Sequence, residues 1–210
     1  MSEIVTQDAL IARLQALAPG RHLVAIAGAP ASGKSGLAKA VVDGLNRDHP
    51  DQAAVLPMDG YHYDDQLLDA RGHRPRKGAP HTFDVAGLRH MLKRLRANED
   101  PEVAIPLFDR SIEIARAGAS VIPQRTSIIV VEGNYLLLDK PPWDSLASLF
   151  DLTVALDVPE DVLRERLTQR WIHYQLSPDE ITAKLEDNDL PNGRLIREAS
   201  RAPDLIVRHQ

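Results

Sequence analysis

The chain has 210 residues, 43% of them hydrophobic and 26% charged, a composition typical of one globular domain with an ample core. Its formal net charge of −5 argues against nucleic acid as the main partner, because proteins that bind polyanions need a basic face. It has no cysteine, which excludes disulfides and thiolate metal sites and suits a reducing cytoplasm.

The N-terminal part of the chain predicts a helix, a strand and a second helix. Its first residues lack the basic lead and apolar core of a signal peptide, and the apolar runs are too short to span a bilayer, so we expect no membrane partner. Residues 6–17 have helical spacing, and Pro19 ends that helix. Residues 22–27 predict a buried strand and residues 34–45 the next helix, with a glycine-rich turn between them.

The middle of the chain predicts a second buried strand at residues 53–58, followed by a long polar segment at residues 60–82. A loop of that length in a compact domain is usually functional or mobile. Asp84 is placed to cap a basic amphipathic helix. Alternating stretches within residues 103–122 predict short strands or a hairpin, which makes residues 60–125 an excursion from the main sheet.

The C-terminal part predicts three more strands, at residues 127–131, 152–156 and 204–207. Between them, residues 160–170 have helical spacing, and Ser177 with Glu180 has the form of a capping box for another helix. Strands that alternate with helices indicate an α/β fold. We predict one domain, residues 1–210, with three α/β/α layers around a mainly parallel sheet of five strands.

Residues 28–35 read Gly-Ala-Pro-Ala-Ser-Gly-Lys-Ser and match the phosphate-binding loop motif G-x-x-x-x-G-K-S/T at each fixed position, between a strand and a helix. Glycines let backbone N–H groups approach phosphates closely. Lys34 would face the β- and γ-phosphates, Ser35 would offer its hydroxyl to Mg²⁺, and the helix directs its positive end at the anion. The predicted ATP-binding residues are Gly28, Ala29, Pro30, Ala31, Ser32, Gly33, Lys34, Ser35 and Gly36.

Two acidic residues fall at predicted strand ends, Asp59 after the second strand and Glu132 after the third. Ligands of parallel α/β sheets gather at the carboxyl ends of the strands. Either residue alone could be a cap or loop carboxylate. Beside a phosphate-binding loop, however, phosphoryl transfer to a hydroxyl calls for one carboxylate near the acceptor and another near the metal.

These and further motifs resemble the uridine kinase, phosphoribulokinase and pantothenate kinase superfamily. They are residues 28–35, 58–62 (Met-Asp-Gly-Tyr-His), 80–84 (Pro-His-Thr-Phe-Asp), 106–110 (Pro-Leu-Phe-Asp-Arg) and 131–135 (Val-Glu-Gly-Asn-Tyr). The sequence is most similar to a branch described as nucleoside or fructose-transport-system kinases, whose hallmark is Arg-Lys-Gly-Ala-Pro-His-Thr-Phe-Asp at residues 76–84. The resemblance implies a P-loop kinase fold, MgATP as the phosphoryl donor, and a hydroxyl of a small metabolite as the acceptor.

The resemblance also implies roles for individual residues. Asp59 would be the general base, and Ser35, Asp59 and Glu132 would lie around Mg²⁺. Residues 60–125 would form the acceptor side. The candidate acceptor-binding residues are Tyr61, His62, Lys77, Phe83, Arg110, Asn134 and Tyr135. The two tyrosines fit half-buried packing positions equally well.

Arg166 and Arg170 are four residues apart and share one face of the helix after the fourth strand. Such pairs are usually solvated, but kinases that this chain resembles carry lid arginines there, which stabilise charge on the transferring phosphoryl group. We predict a lid at residues 164–190, and we expect residues 188–192 to contact nucleotide or acceptor. The basic residues between 71 and 77 would either bind an anionic acceptor or form a solvated loop.

Several acceptors and functions stay open at this point. A sugar such as fructose is the leading acceptor, with a nucleoside or a pantothenate-like acid as alternatives. A regulatory nucleotide switch is the competing class, although the guanine-specifying Asn-Lys-x-Asp pattern is absent. Charge and size disfavour a nucleic-acid-processing ATPase. The sequence leaves a homodimer open.

Overall fold

The computed structural model describes residues 2–208. The strands are β1 (Glu3–Val5), β2 (His22–Gly28), β3 (Ala53–Pro57), β4 (Glu102–Asp109), β5 (Ile114–Pro123), β6 (Ile128–Gly133), β7 (Leu152–Asp157) and β8 (Leu205–Arg208). The α-helices are α1 (Gln7–Gln15), α2 (Lys34–Leu45), α3 (Asp65–Ala70), α4 (Val85–Ala97), α5 (Glu160–His173), α6 (Pro178–Lys184) and α7 (Leu190–Ala199). A 3₁₀ turn follows β3 (Met58–Tyr61), and a π-helical turn joins α6 to α7 (Leu185–Asp189).

The main sheet has six strands in the order β1-β8-β7-β2-β6-β3, and all neighbours are parallel. The predicted three-layer α/β architecture is confirmed, but the predicted count of five strands is wrong. The additional strand is β1, which pairs Ile4 with Ile206 of β8. It has only three residues and runs directly into the helix that Thr6 caps, so no periodicity marks it.

The sheet separates two apolar cores, which is why its central strands have no polar face. Along β2, Leu23 and Ala25 pack into one core while Val24 and Ile26 pack into the other. β6 is likewise buried over its whole length. A parallel strand covered by helices on both faces reads as a continuous apolar run, as these do. The phosphate-loop motif and Glu132 therefore lie at the ends of two deeply buried strands.

The excursion from the sheet contains the predicted hairpin, in which β4 and β5 pair antiparallel. The Ala117-Gly118 pair, expected to break a strand, lies inside β5, where Gly118 has a φ of 62°. The long polar segment is partly helical, because Asp64 caps α3 through the amide of Gln66. That cap is a local signal that the sequence interpretation missed.

The predicted lid, residues 164–190, contains most of α5, a non-helical connection at residues 174–177, α6 and the π-helical turn, and it ends where α7 begins. The predicted capping box of Ser177 and Glu180 begins α6. Leu167, Ile181 and Leu185 pack together into a small separate core. α5, α6 and the π-helical turn thus share a small core of their own, whereas Ile196 of α7 packs into the larger core. Within residues 2–208, no helix has the length and apolar character that crossing a bilayer requires.

Candidate active site

The loop between β2 and α2 has the backbone geometry of a phosphate cradle. Gly33 has a φ of 94° and Ala31 a φ of 62°, two left-handed residues that turn the chain sharply before α2 begins at Lys34. Gly28 is also required, because a Cβ there would lie 2.6 Å from Ser32 Oγ. Successive amides in such a turn form an anion-binding concavity at the positive end of the helix.

This loop opens into a cavity of about 680 Å³ at the carboxyl ends of β2, β3 and β6. The predicted site residues that line it are Pro30, Ala31, Gly33, Lys34, Ser35, Gly36, Asp59, His62, Lys77, Phe83, Arg110, Asn134 and Arg170. Gly28, Ala29 and Ser32 belong to the loop but do not line the cavity. Pro30 and Arg170, which are 140 positions apart in the chain, therefore line the same cavity.

Lys34 is a partly buried cation that lines the cavity at the start of α2. Burial lowers the pKa of its ammonium group, and the carboxylates of Glu132 and Asp59 oppose that effect. The neighbouring guanidinium groups of Arg170 and Arg110 lower the pKa further. Several cations therefore converge on this region with too few carboxylates to neutralise them, which is the arrangement that a triphosphate would satisfy.

Glu132 stands at the end of β6 beside the start of α2. Its side chain is 6% exposed, and it accepts a hydrogen bond from Ser35. Burial raises the pKa of this carboxyl, and Lys34 partly offsets the shift. A hydroxyl and a carboxylate held together beside a phosphate cradle are the oxygen ligands that Mg²⁺ prefers. Among residues 2–208 no three His, Asp or Glu side chains gather as a metal cluster.

Asp59 lies in the 3₁₀ turn that follows β3 and faces the cavity. Arg110, from the turn of the β4–β5 hairpin, donates from Nη2 to Asp59 Oδ2 at 2.7 Å. Gly60 allows close packing of β4, because a Cβ on Gly60 would lie 2.4 Å from the carbonyl oxygen of Pro106.

One wall of the cavity is aromatic. The ring of His62 lies 4.0 Å from that of Phe83 and 4.7 Å from that of Phe108, centroid to centroid. His62 Nδ1 shares a hydrogen bond with the carbonyl of Asp59, and burial lowers the pKa of the imidazole, which favours its neutral form. On the same cavity surface, Asn134 Oδ1 is buried and makes no hydrogen bond within residues 2–208. An apolar surface next to an unsatisfied acceptor fits a small hydroxylated ligand.

The structure does not place Tyr61 and Tyr135 on the cavity surface, contrary to the expectation that they face the acceptor. Both are buried in the larger core. Tyr135 packs 5.2 Å from the ring of Trp143, and its hydroxyl donates to the carbonyl of Gly78 at 2.7 Å. These tyrosines therefore support the loop behind the cavity wall, the packing role that the sequence had left equally open.

The basic cluster of residues 71–77 is largely paired with its own neighbours. Arg74 and Lys77 both bind Asp65, at 2.9 Å and 2.6 Å respectively. Arg71 stacks over the ring of Tyr63 at 4.8 Å. The arginines of this cluster are exposed, but Arg74 and Lys77 are paired with a carboxylate of the neighbouring helix.

The two lid arginines occupy different positions. Arg170 reaches the cavity, where burial, followed by the nearby Arg110, lowers the pKa of its guanidinium. Arg166 instead bonds the phosphate loop itself, with Nη1 donating to the carbonyl oxygen of Ser32 at 3.2 Å, and does not line the cavity. Arg170 is therefore the lid arginine that faces the space for transferring phosphate in this conformation.

Several cavity residues were not named from the sequence. Phe108 belongs to a motif that was recognised, but its role was not seen. Trp171 directly follows Arg170, and its indole donates to Asp189 Oδ2 at 2.8 Å. Asp189 and Asn188 lie in the segment expected to contact ligands and do line the cavity, although as part of a helical turn.

Comparison with known proteins gives a consistent result. The sequence model described as "Phosphoribulokinase / Uridine kinase family" matches residues 23–177. The chain is 35% identical over 201 residues to "Uncharacterized protein YggC" of Escherichia coli, covering 94% of this chain and 82% of that protein. It is 31% identical over 195 residues to "Putative uridine kinase C227.14" of Schizosaccharomyces pombe, covering 89% and 83%.

Among solved structures, the chain is similar to one from Silicibacter sp. TM1040 described as a "putative fructose transport system kinase". The TM-score is 0.89 at 42% sequence identity, covering 96% of this chain and 98% of that chain. The two chains therefore share their fold over nearly their whole length.

Proposed function

The chain belongs to the phosphoribulokinase / uridine kinase family, and from that premise we propose that it phosphorylates a hydroxyl of a neutral sugar such as fructose. As a member of that family it is an ATP-dependent P-loop kinase whose acceptor is a small metabolite. The sugar, the metal and the roles of individual residues are the parts that we propose.

The observation that carries the mechanism is that Lys34 and Asp59 line one cavity and are close enough for Asp59 to raise the pKa of the Lys34 ammonium group. Lys34 lies where the phosphate loop meets α2, and Asp59 lies in the 3₁₀ turn that follows β3. A γ-phosphoryl group bound by Lys34 would therefore lie between that lysine and the carboxylate. Direct transfer to a hydroxyl requires this arrangement of donor, acceptor and base.

We assign Asp59 the role of general base. Arg110 binds only Oδ2 of the carboxylate, so Oδ1 would accept the proton of the attacking hydroxyl. Arg110 would hold the carboxylate in one orientation while Lys34 and Arg170 balance negative charge on the phosphoryl oxygens. The aromatic wall of His62 and Phe108 would exclude water from the acceptor side.

Ser35 and Glu132 would hold Mg²⁺, with Asp59 close by, because they offer a hydroxyl and carboxylates at the start of the phosphate-bearing helix. When bound, the metal neutralises charge on the β- and γ-phosphates and orients them. The chain contributes the position of these oxygens, which the burial of Glu132 and its hydrogen bond from Ser35 fix before any ligand arrives.

The charges around the acceptor end of the cavity support a neutral acceptor. Arg74 and Lys77 share Asp65, and Arg110 binds Asp59, so the nearest cations already have anionic partners. A carboxylate or phosphate on the acceptor would have to break these pairs. A sugar needs only hydrogen-bonding groups and an apolar face to pack on, which Asn134, His62 and Phe108 supply. The name of the Silicibacter relative points in the same direction.

A panel of acceptors tests this proposal. Purified chain with MgATP is incubated with fructose and other sugars, with uridine and cytidine, and with pantothenate, and ADP release is measured for each. We expect the highest kcat/KM with a sugar. A clear preference for a nucleoside would move the assignment to that alternative, and a preference for pantothenate would refute the neutral acceptor.

A further inference from the structure

The loop that carries Lys77 is held by side chains that come from separate parts of the molecule. Tyr135 donates to the carbonyl of Gly78 at 2.7 Å, and Trp143 donates to the carbonyl of Pro80 at 3.2 Å. Both of these aromatic side chains belong to the rigid core. The carbonyl of Lys77, in contrast, accepts a hydrogen bond of 3.0 Å from Nδ2 of Asn188, which belongs to the lid region.

Both the oxygen and the nitrogen of the Asn188 side-chain amide make hydrogen bonds. Its Oδ1 accepts from Arg76 Nε at 3.2 Å, a second bond to the same loop, and from Asn192 Nδ2 of α7 at 3.1 Å. The side chain is 6% exposed, so none of these bonds is easily replaced by water. The buried side-chain amide of Asn188 therefore connects the acceptor-side loop, residues 74–83, to α7.

The next residue connects the same turn to the lid helix. Asp189 accepts the indole N–H of Trp171, which directly follows Arg170 on α5. The two adjacent residues lie in a π-helical turn, where the altered spacing turns neighbouring side chains to different partners. Asn188 thus holds the acceptor-side loop while Asp189 holds the helix that presents Arg170 to the cavity.

We propose that Asn188 is a positioning residue that couples nucleotide binding at the phosphate loop and lid to the ordering of the acceptor-side loop, residues 74–83. Nucleotide that draws Arg170 inward fixes α5, and through Trp171, Asp189 and Asn188 it fixes the loop that carries Lys77 and leads to Phe83. Such coupling is reciprocal, so a bound acceptor strengthens nucleotide binding by the same factor. This inference rests on the proposed function, because it requires a nucleotide at the phosphate loop.

Hydrogen–deuterium exchange of the full chain, with and without magnesium and the non-hydrolysable analogue AMP-PNP, tests the coupling without any acceptor. In the wild-type protein we expect slower exchange in peptides over residues 28–36 and also over residues 74–83. Coupling free energies in proteins typically correspond to factors of about 5–150, so we expect at least about fivefold slower exchange in the loop. In Asn188→Ala the phosphate loop should still be protected, while the protection of residues 74–83 should fall below about twofold.

Two exposed arginines in the same loop test the coupling with variants that do not depend on whether Asn188→Ala folds. Arg76→Ala removes a bond to Asn188, whereas Arg74→Ala, in the same loop, removes contacts with Asp65 and Asp69. We expect Arg76→Ala to reduce the nucleotide-dependent protection of the loop and Arg74→Ala to retain it. Equal loss in both variants would overturn the inference.

The outcomes also separate this inference from the proposed function. Protection of residues 28–36 without protection of residues 74–83 in the wild-type protein would refute the coupling and leave the kinase assignment intact. No protection at residues 28–36 would contradict nucleotide binding at the phosphate loop and with it the proposed function. Retained loop protection in a folded Asn188→Ala protein would refute the role of Asn188.

Discussion

Arg110 donates a hydrogen bond of 2.7 Å to the carboxylate of Asp59, so the turn of the β4–β5 hairpin meets the end of β3 above the phosphate loop. The two residues follow strands of different sheets, β3 and β4, and are 51 positions apart. The hairpin, which makes no strand pairing with the main sheet, thereby orients the proposed base. An acceptor hydroxyl that enters the cavity would meet a carboxylate that is already oriented.

The base assignment predicts a specific loss in Asp59→Asn. The amide keeps the size of the side chain but cannot take the proton of the attacking hydroxyl, so kcat should fall by about 10²–10⁴-fold while the KM for ATP changes little. Steady-state ADP release under saturating MgATP measures both. The exposed Asp100→Asn is the matched control and should retain wild-type turnover. A loss below about tenfold would remove Asp59 from the catalytic residues.

The role of Arg110 predicts that Arg110→Ala lowers activity without lowering stability. Its side chain is 56% exposed, and exposed ion pairs contribute about 0–1 kcal/mol, so Arg110→Ala should leave the Tm nearly unchanged. Losing a charge-assisted hydrogen bond that orients the base should lower kcat/KM for the acceptor by roughly tenfold or more. Arg116→Ala, on the same hairpin and paired with Asp109, is the control for a general effect of charge. Similar losses in both variants would argue against a specific role.

Gly60→Ala tests the contact between β4 and the 3₁₀ turn that carries Asp59. Its Cβ would lie 2.4 Å from the carbonyl oxygen of Pro106, and backbone cannot move aside as a side chain can. Overpacking of this kind costs roughly 1–3 kcal/mol, and each kcal/mol lowers the Tm by about 2–4 °C in a chain of this size. The helical Gly36→Ala meets nothing within 4 Å and should leave the Tm equal or higher. Equal Tm values for Gly60→Ala and wild type would contradict the packing.

Asp189 gives a prediction about pH. Burial raises the pKa of its carboxyl above the ordinary 3.8, and the hydrogen bond from Trp171 offsets this only in part. As the pH rises above about 3.8, the unfolded chain loses this proton before the folded protein does, so the Asp189 contribution to stability falls until the folded pKa is passed. The asparagine in Asp189→Asn does not titrate, so this variant lacks that dependence of stability on pH.

Thermal melts across pH 3.5–8 (a range of about four to five units) check the sign. The Tm of Asp189→Asn minus that of wild type should grow with pH and then level off. Asp48→Asn, which removes the same charge from an exposed position, corrects for the general effect of charge. A difference that shrinks as pH rises would show that the folded protein stabilises the ionised carboxylate.

What the sequence reveals about this site depends on how local each signal is. The phosphate loop is a contiguous motif, and Lys34 stands where the motif requires it. Asp59 and Glu132 could be placed together because parallel strands end on one edge of a sheet. Their pairing with Arg110 and Ser35 respectively joins distant segments, and only the folded chain shows those bonds.

The features that the sequence analysis missed or misplaced also depend on contacts between distant segments of the chain. β1 is too short for a periodic pattern and exists because β8, some 200 residues later, offers it an edge. Tyr61 and Tyr135 sit in ligand-binding motifs, yet packing against Trp143 and Phe83 decides where Tyr135 points. The pairing of Arg74 with Asp65 was not predicted, because Asp65 lies on a helix whose cap went unrecognised.

The most direct test of the central claim is the stoichiometry of phosphoryl transfer to the best acceptor of the panel. ADP is quantified by enzymatic coupling and phosphorylated acceptor by mass spectrometry, for the wild-type chain and for Lys34→Ala. We expect one phosphorylated acceptor per ADP, negligible ADP without acceptor, and loss of both products in a folded Lys34→Ala protein, because the lysine contact is made mainly in the transition state. ADP that forms at the same rate with and without acceptor, or near-normal transfer by Lys34→Ala, would contradict the account.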